Sequence, residues 1–214
     1  MTEQKYIFMM FSSTPSKMGR FIRTITKNRF NHVSLCLDIE GVTLYSFARK
    51  YRRHPFYGGF VKESSTRFIH NDRFAHIKLC AIPVTEEQYT LVKHYMRTME
   101  SAADLYIYNH LSAIGTIVNK RIRIENAYTC VEFNAKILRE IGIISNVEER
   151  YVYSVRDLEI LLSPYTIYEG SFEKMALIVN DVGDQFTDAE KVYVGSLKAF
   201  RANSKLLVSF LKSI

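Results

Sequence analysis

Three helix-start signals constrain the fold of this chain more than any other feature of its sequence. In a capping box, a Ser or Thr side chain accepts a hydrogen bond from the backbone N–H three residues later. The Glu or Gln side chain at that later position accepts one from the backbone N–H of the Ser or Thr. This spacing occurs at Thr85–Gln88, Thr129–Glu132 and Thr187–Glu190. Helices are therefore predicted to begin just after residues 85, 129 and 187, and apolar residues at helical spacing follow the first and the third.

Other segments have the patterns of strands. The apolar run 5–11 ends at the turn-forming "SSTPS" and predicts a buried strand, followed by a short helix around 17–26. The segment "RFAHIKLCAIPV", residues 73–84, predicts another strand directly before the first capped helix. The first half of the chain is therefore predicted to contain both strands and helices.

Residues 32–47 have the pattern of a hairpin. Apolar and polar side chains alternate over "HVSLCLD", as in a strand with one buried face. A two-residue turn at Glu40-Gly41 then leads into a second strand, "IEGVTLYSF". Two adjacent antiparallel strands are expected here.

Composition and cysteine usage narrow the class of protein. The 214 residues are 47% hydrophobic and 24% charged, which suits one globular core. The N-terminal apolar run is too short for a signal peptide, and no run approaches the roughly 20 residues that cross a bilayer, so a cytoplasmic protein without a transmembrane segment is expected. Three cysteines without CxxC spacing predict free thiols and no metal site, and no cofactor is expected.

The position of Cys130 distinguishes it from the other cysteines. The capping box makes Cys130 the first residue of its helix, and Tyr128 and Phe133 occupy the two positions of a hydrophobic staple at the same helix start. Unpaired N–H groups and the positive end of the helix dipole favour a negative sulfur there. Cys130 is therefore a candidate nucleophile. The alternative is a small buried apolar residue, which is the usual environment of a free cysteine.

A nucleophilic cysteine needs a base, and an imidazole can both take its proton and return it to a leaving group. Among six histidines, His32 heads a strand and shares its face with Ser34, which is small enough to leave space above the sheet. The others lie in loops, in a helix, or among residues that do not suggest a cleft. His32 is therefore the predicted base.

The segments "FNHVSLCLDIEGVTLYSFARK", "PFYGGFVKES" and "YTCVEF" together resemble the circularly permuted branch of the NlpC-type papain-like cysteine hydrolases, to which the lecithin–retinol acyltransferase-like proteins are related. The resemblance runs from about residue 5 to residue 172. It implies an α+β papain-like domain over 1–172, in which an antiparallel sheet packs against the helix of the nucleophile Cys130, with His32 as base. Residues 173–214 would form a C-terminal helical extension packed on the same domain.

The residue that orients the imidazole is less evident. Members of this family tend to place a polar residue for this purpose on the strand after the His strand. With the turn at Glu40-Gly41, His32 would pair near Arg49, and its face would then carry no carboxylate, amide or imidazole. Ser46 would serve if a bulge or another turn reverses that face; the alternatives are a backbone carbonyl that orients the ring and an enzyme that is weak or inactive.

Three further positions near the nucleophile bear on the resemblance. Val131 and Asn134 stand where family members often have a small polar and an apolar residue, respectively. Tyr128, directly before the helix, is a candidate for lining the substrate pocket, although its position in the staple explains it equally well.

These residues predict a thiol hydrolase or acyltransferase acting on a small-molecule, peptide or acyl-lipid substrate. A first alternative is a catalytically silent papain-like module that binds a protein or lipid partner. A second is a nucleic-acid binder, because the net charge is +7 and basic and aromatic residues mix in "RFIRTITKNRFNH", "KYRRHPF" and "NKRIRI". No recognised nucleic-acid motif accompanies that charge, so no specific nucleic-acid partner is expected.

Overall fold

The computed structural model describes residues 4–38, 42–52, 57–115, 124–144, 153–176, 178–179 and 186. The strands are β1 (Lys5–Ser13), β2 (His32–Cys36), β3 (Leu44–Arg49), β4 (Gly58–Glu63), β5 (Ile69–His70), β6 (Arg73–Phe74), β7 (His76–Val84), β8 (Ile107–Tyr108), β9 (Ala127–Tyr128) and β10 (Thr166–Ser171). The α-helices are α1 (Lys17–Thr26), α2 (Glu86–Ser101), α3 (His110–Gly115), α4 (Cys130–Glu140), α5 (Val155–Leu162) and α6 (Glu173–Ala176).

Six strands form one antiparallel sheet in the order β10-β7-β1-β2-β3-β4. Met9 of β1 lies opposite Leu35 of β2, and Leu35 lies opposite Tyr45 of β3. Ser46 of β3 lies opposite Val61 of β4. Because opposite residues of antiparallel strands share a face of the sheet, these registers decide which side chains of β2, β3 and β4 meet.

Apolar side chains cover both faces of the sheet. On one face, helices α2, α4 and α5 pack over a cluster that includes Val33, Leu35 and Phe47. On the other face, a second cluster joins the sheet to Phe68, Phe172 and Met175. All five residues of β2 are consequently buried, and the expectation of a strand with one exposed face is wrong because the second cluster covers that face.

The first two helix starts are confirmed. α2 begins at Glu86 and α4 at Cys130, and in both cases the cap side chain and the third helical residue exchange the two bonds of a capping box. The third capping box, at 187–190, lies outside the described residues. So do the turn at Glu40-Gly41 and most of the proposed extension over 173–214, of which α6 is the first element.

The fold class is α+β, with a large antiparallel sheet and several helices. Within the part of the chain that the structure describes, every helix is too short or too polar to cross a lipid bilayer.

Candidate active site

The start of α4 is held by a network of polar contacts. Thr129 Oγ1 accepts a hydrogen bond from the Glu132 N–H at 3.1 Å, and Glu132 Oε2 accepts one from the Thr129 N–H at 2.8 Å. The other carboxylate oxygen, Glu132 Oε1, accepts from Ser112 Oγ at 2.5 Å. This network fixes Cys130 in the first turn of the helix, where the backbone N–H groups have no partner within the helix.

Asn134 attaches the first turn of α4 to the sheet. Its amide Nδ2 donates to the backbone carbonyl of Cys130 at 2.8 Å and to the backbone carbonyl of Val33 at 3.2 Å. The side chain is fully buried. Asn134 thus joins the helix that carries the thiol to the strand that carries His32. This role explains why a polar residue stands where members of the family often have an apolar one.

The imidazole of His32 has two partners. Its Nε2 lies 2.8 Å from Glu63 Oε1, and the Cys130 sulfur lies close enough to the ring to raise its pKa. Because Nε2 faces the carboxylate, Nδ1 is the ring nitrogen left for the sulfur. The structure thus brings together the two residues that the sequence singled out, and both are buried, with 5% of Cys130 and 8% of His32 exposed.

Glu63, the last residue of β4, supplies the carboxylate behind the imidazole. Its Oε1 faces His32, and its Oε2 accepts a hydrogen bond from the Ser34 hydroxyl. Burial alone would raise the pKa of Glu63, but the imidazole, the positive charge of Arg67 and the Ser34 hydrogen bond lower it. Glu63 is therefore ionised at neutral pH although only 2% of it is exposed.

The charge of His32 follows from the same contacts. Burial alone would lower the pKa of His32, but the Glu63 carboxylate and the Cys130 sulfur raise it to about 10. The lowered pKa of Glu63 and the raised pKa of His32 have the same cause, because the two side chains form one buried ion pair. An imidazolium held beside a cysteine sulfur is the arrangement of nucleophilic Cys–His pairs.

Ser46 does not contact the imidazole through its hydroxyl. Because Leu35 lies opposite Tyr45, the neighbouring residues Ser34 and Ser46 share the other face, which is the face of His32. The register therefore reverses the face inferred from a two-residue turn. The Ser46 hydroxyl nevertheless donates to the Val33 carbonyl at 2.9 Å. The side chain that contacts the imidazole is that of Glu63.

Tyr128 is held by contacts away from the thiol. Its hydroxyl accepts a hydrogen bond from Lys136 Nζ at 3.2 Å, and its ring packs against that of Phe47 with centroids 5.2 Å apart. These contacts place it in the packing between α4 and the sheet.

A second tyrosine, which the sequence reasoning did not consider, lies near the thiol. β8 pairs in parallel with β9, which puts Tyr108 opposite Tyr128, two residues before Cys130. Burial raises the pKa of Tyr108, and the charges of Cys130 and Glu132 raise it further. Its phenol is therefore protonated at neutral pH and able to donate a hydrogen bond beside the site.

The other two thiols lie in different surroundings. Burial raises the pKa of Cys36 to about 12, and its Sγ donates to the Asp38 carbonyl at 2.7 Å. Burial also raises the pKa of Cys80, whose nearest polar partner is the Thr166 hydroxyl at 3.8 Å. Within the described part of the chain, no imidazole contributes to the pKa shift of either thiol.

Among the described residues, no group of three or more His, Cys, Asp or Glu side chains is arranged to hold a metal ion. No protein-family model, curated protein or solved structure matches this chain.

Proposed function

We propose that this chain is a papain-like cysteine hydrolase or acyltransferase of the circularly permuted NlpC type, with Cys130 as nucleophile, His32 as general base and acid, and Glu63 as the residue that orients and charges the imidazole. One observation supports this most directly. A single buried imidazole contacts both a thiol at the first residue of a helix and a carboxylate whose two oxygens are both engaged.

The first chemical step is attack by sulfur on a carbonyl carbon. His32 already holds the proton of the Cys130–His32 pair as an imidazolium, which the Glu63 carboxylate stabilises. The thiolate then forms a C–S bond to the carbonyl carbon of an amide, ester or thioester, and the carbonyl π electrons move to oxygen.

The negative oxygen of that intermediate needs hydrogen-bond donors. The backbone N–H of Cys130 is one, because the first N–H groups of a helix have no partner within it. The phenol of Tyr108, which lies near the thiol and is protonated at neutral pH, is a second candidate.

Collapse of the intermediate completes the acylation. The bond to the leaving group breaks, and His32 returns its proton to the departing nitrogen, oxygen or sulfur. Water, activated by the now neutral His32, attacks the acyl-enzyme in hydrolysis, and another nucleophile takes its place in acyl transfer. Small-molecule, peptide and acyl-lipid substrates share this first half of the reaction.

A panel of thiol-directed acyl probes tests the proposal. Wild type should be labelled, and Cys130→Ala should abolish labelling. Cys80→Ala, which removes a buried thiol elsewhere in the sheet, is the matched control and should leave labelling intact. Equal labelling of wild type and Cys130→Ala would contradict a nucleophilic role for Cys130.

The burial of both Cys130 and His32 favours a second candidate, a papain-like binding module without chemistry. In that case no probe would react with Cys130 faster than with a model thiol, because access and not the thiolate fraction would limit the rate. The same labelling series therefore separates the two functions.

A further inference from the structure

Helix α1 has its apolar side turned away from the protein. Phe21, Ile22 and Ile25 are 61%, 37% and 44% exposed, respectively. At 100° per residue these three side chains project within one third of the helix circumference, so they form one apolar stripe. A helix of a globular protein ordinarily turns such a stripe toward the core.

The opposite side of α1 attaches it to the rest of the structure. A Cβ at Gly19 would lie 2.6 Å from the Thr14 carbonyl oxygen, so the helix backbone packs directly on the segment after β1. Arg23 Nη1 donates to that Thr14 carbonyl at 2.8 Å and to Asn31 Oδ1 at 2.7 Å. Ser16 Oγ caps the helix by accepting from the Gly19 N–H at 3.0 Å. The outward orientation is therefore fixed by contacts on the polar side.

The segment that carries the apolar stripe has charges of one sign. No Asp or Glu occurs between Glu3 and Asp38, whereas six Lys and Arg residues do. Arg20 and Lys27 are exposed on α1 and at its C-terminal cap, respectively. An apolar stripe flanked by cations complements a surface that offers hydrocarbon below a layer of negative charge.

We propose that α1 binds the surface of an anionic lipid membrane, with Phe21, Ile22 and Ile25 inserted at the level of the headgroups and Arg20 and Lys27 contacting lipid phosphates and carboxylates. The helix lies in the plane of the interface and does not cross it. A nucleic acid fits less well, because its phosphates attract the cations but leave two aliphatic side chains of the stripe without a partner.

The position of α1 gives this binding a consequence for the rest of the molecule. Asn31 accepts a hydrogen bond from Arg23 and directly precedes His32. The docked helix is therefore attached to the strand that carries the imidazole. The membrane proposal does not depend on catalysis, since binding is measured without any turnover.

Flotation of the full chain with vesicles tests the proposal. Vesicles of phosphatidylcholine with a fraction of phosphatidylserine should carry the protein upward, vesicles of phosphatidylcholine alone should carry much less, and salt should weaken the binding. The double variant Phe21→Ala with Ile25→Ala should lower vesicle binding by about tenfold or more. Leu91→Ala with Ile160→Ala, which removes exposed apolar residues from α2 and α5, is the matched control and should bind like wild type.

A tryptophan reporter adds a direct readout, because the chain contains no Trp. Phe21→Trp should show a blue shift of its emission on anionic vesicles, and Ile160→Trp should not. If the double alanine variant does not fold, Arg20→Glu with Lys27→Glu replaces it and should abolish the preference for phosphatidylserine.

Four results would overturn the proposal. These are equal binding to both vesicle types, equal loss in the control variant, an emission of Phe21→Trp that is already blue-shifted without vesicles, and a shift produced by a single-stranded oligonucleotide but not by vesicles. The third result would mean that another segment or a second copy covers the stripe, and the fourth would assign the surface to nucleic acid.

Discussion

His32 and Glu63 belong to strands that are not neighbours, yet His32 Nε2 and Glu63 Oε1 lie only 2.8 Å apart. β3 separates β2 from β4, so the two side chains meet above the middle strand. Ser46 of that strand shares their face, and Ser34 completes the contact by donating to the second carboxylate oxygen. The buried ion pair therefore lies on the face of the sheet that carries the small side chains of Ser34 and Ser46.

Removal of the charge on Glu63 should slow the reaction of Cys130. Glu63→Gln keeps the shape of the side chain but removes the anion that holds the imidazolium, so the ring is no longer kept charged beside the Cys130 sulfur. We expect the rate of Cys130 alkylation by iodoacetamide near neutral pH to fall by about tenfold or more. Glu159→Gln, which removes a carboxylate from the ion pair with Lys78, is the matched control. An equal loss in both variants would indicate general loosening and not a role in the site.

Ser46 should matter through its size. Ser46→Leu would fill the space above β3 and push the His32 and Glu63 side chains apart, so Cys130 alkylation should slow as much as in Glu63→Gln. Ser46→Ala keeps the space and loses only the hydrogen bond to the Val33 carbonyl, so it should cost about 1 kcal/mol of unfolding free energy. Its alkylation rate should stay near that of wild type. A large kinetic effect of Ser46→Ala would instead show that the hydroxyl itself acts on the imidazole.

The sequence predicts the parts of this site that depend on local structure. The capping box at Thr129 alone places Cys130 at a helix start, and the strand-start position of His32 follows from the alternation after it. The role of Glu63 depends on non-local strand pairing, because its side chain reaches His32 across the intervening strand β3. The register expected from a two-residue turn differs by one residue from the register in the structure, and it therefore puts the wrong residues on the face of His32.

The strand that carries Glu63 also has a weak signal in the sequence. β4 begins with two glycines, which weaken a strand signal. The structure gives a reason for them: a Cβ at Gly58 would lie 2.7 Å from the Ala48 carbonyl oxygen and 2.8 Å from Tyr108 Cβ. The close approach of the Tyr108 segment therefore requires glycine, and glycine weakens the sequence signal of the strand.

The stability of the protein should depend on pH through the ion pair. The folded-state pKa of His32 is raised from 6.5 to about 10, so the unfolded chain loses this proton first as the pH rises. The stabilisation is full below about pH 6.5 and is lost between there and about pH 10. The pKa of Glu63 is lowered, so its contribution is lost only when the pH falls through that lowered value.

Urea unfolding across this range checks the sign of the effect. The difference in unfolding free energy between wild type and His32→Gln should decrease steadily from neutral to alkaline pH. A difference that stays constant, or that grows with pH, would mean that the imidazole is neutral in the folded protein and that no ion pair forms.

Brief alkylation of the native protein should show which thiol reacts. Burial raises the pKa values of Cys36 and Cys80, so both should be protonated and shielded at mildly acidic pH, whereas Cys130 lies at a helix start beside the imidazolium of His32. Peptide mapping should find Cys130 modified first. His32→Ala should slow that modification by removing the cation, whereas His94→Ala, a change on the surface of α2, should not. If Cys36 or Cys80 reacts first, or if His32→Ala leaves the rate at Cys130 unchanged, the contact between thiol and imidazole is structural, and the chain belongs with binding modules.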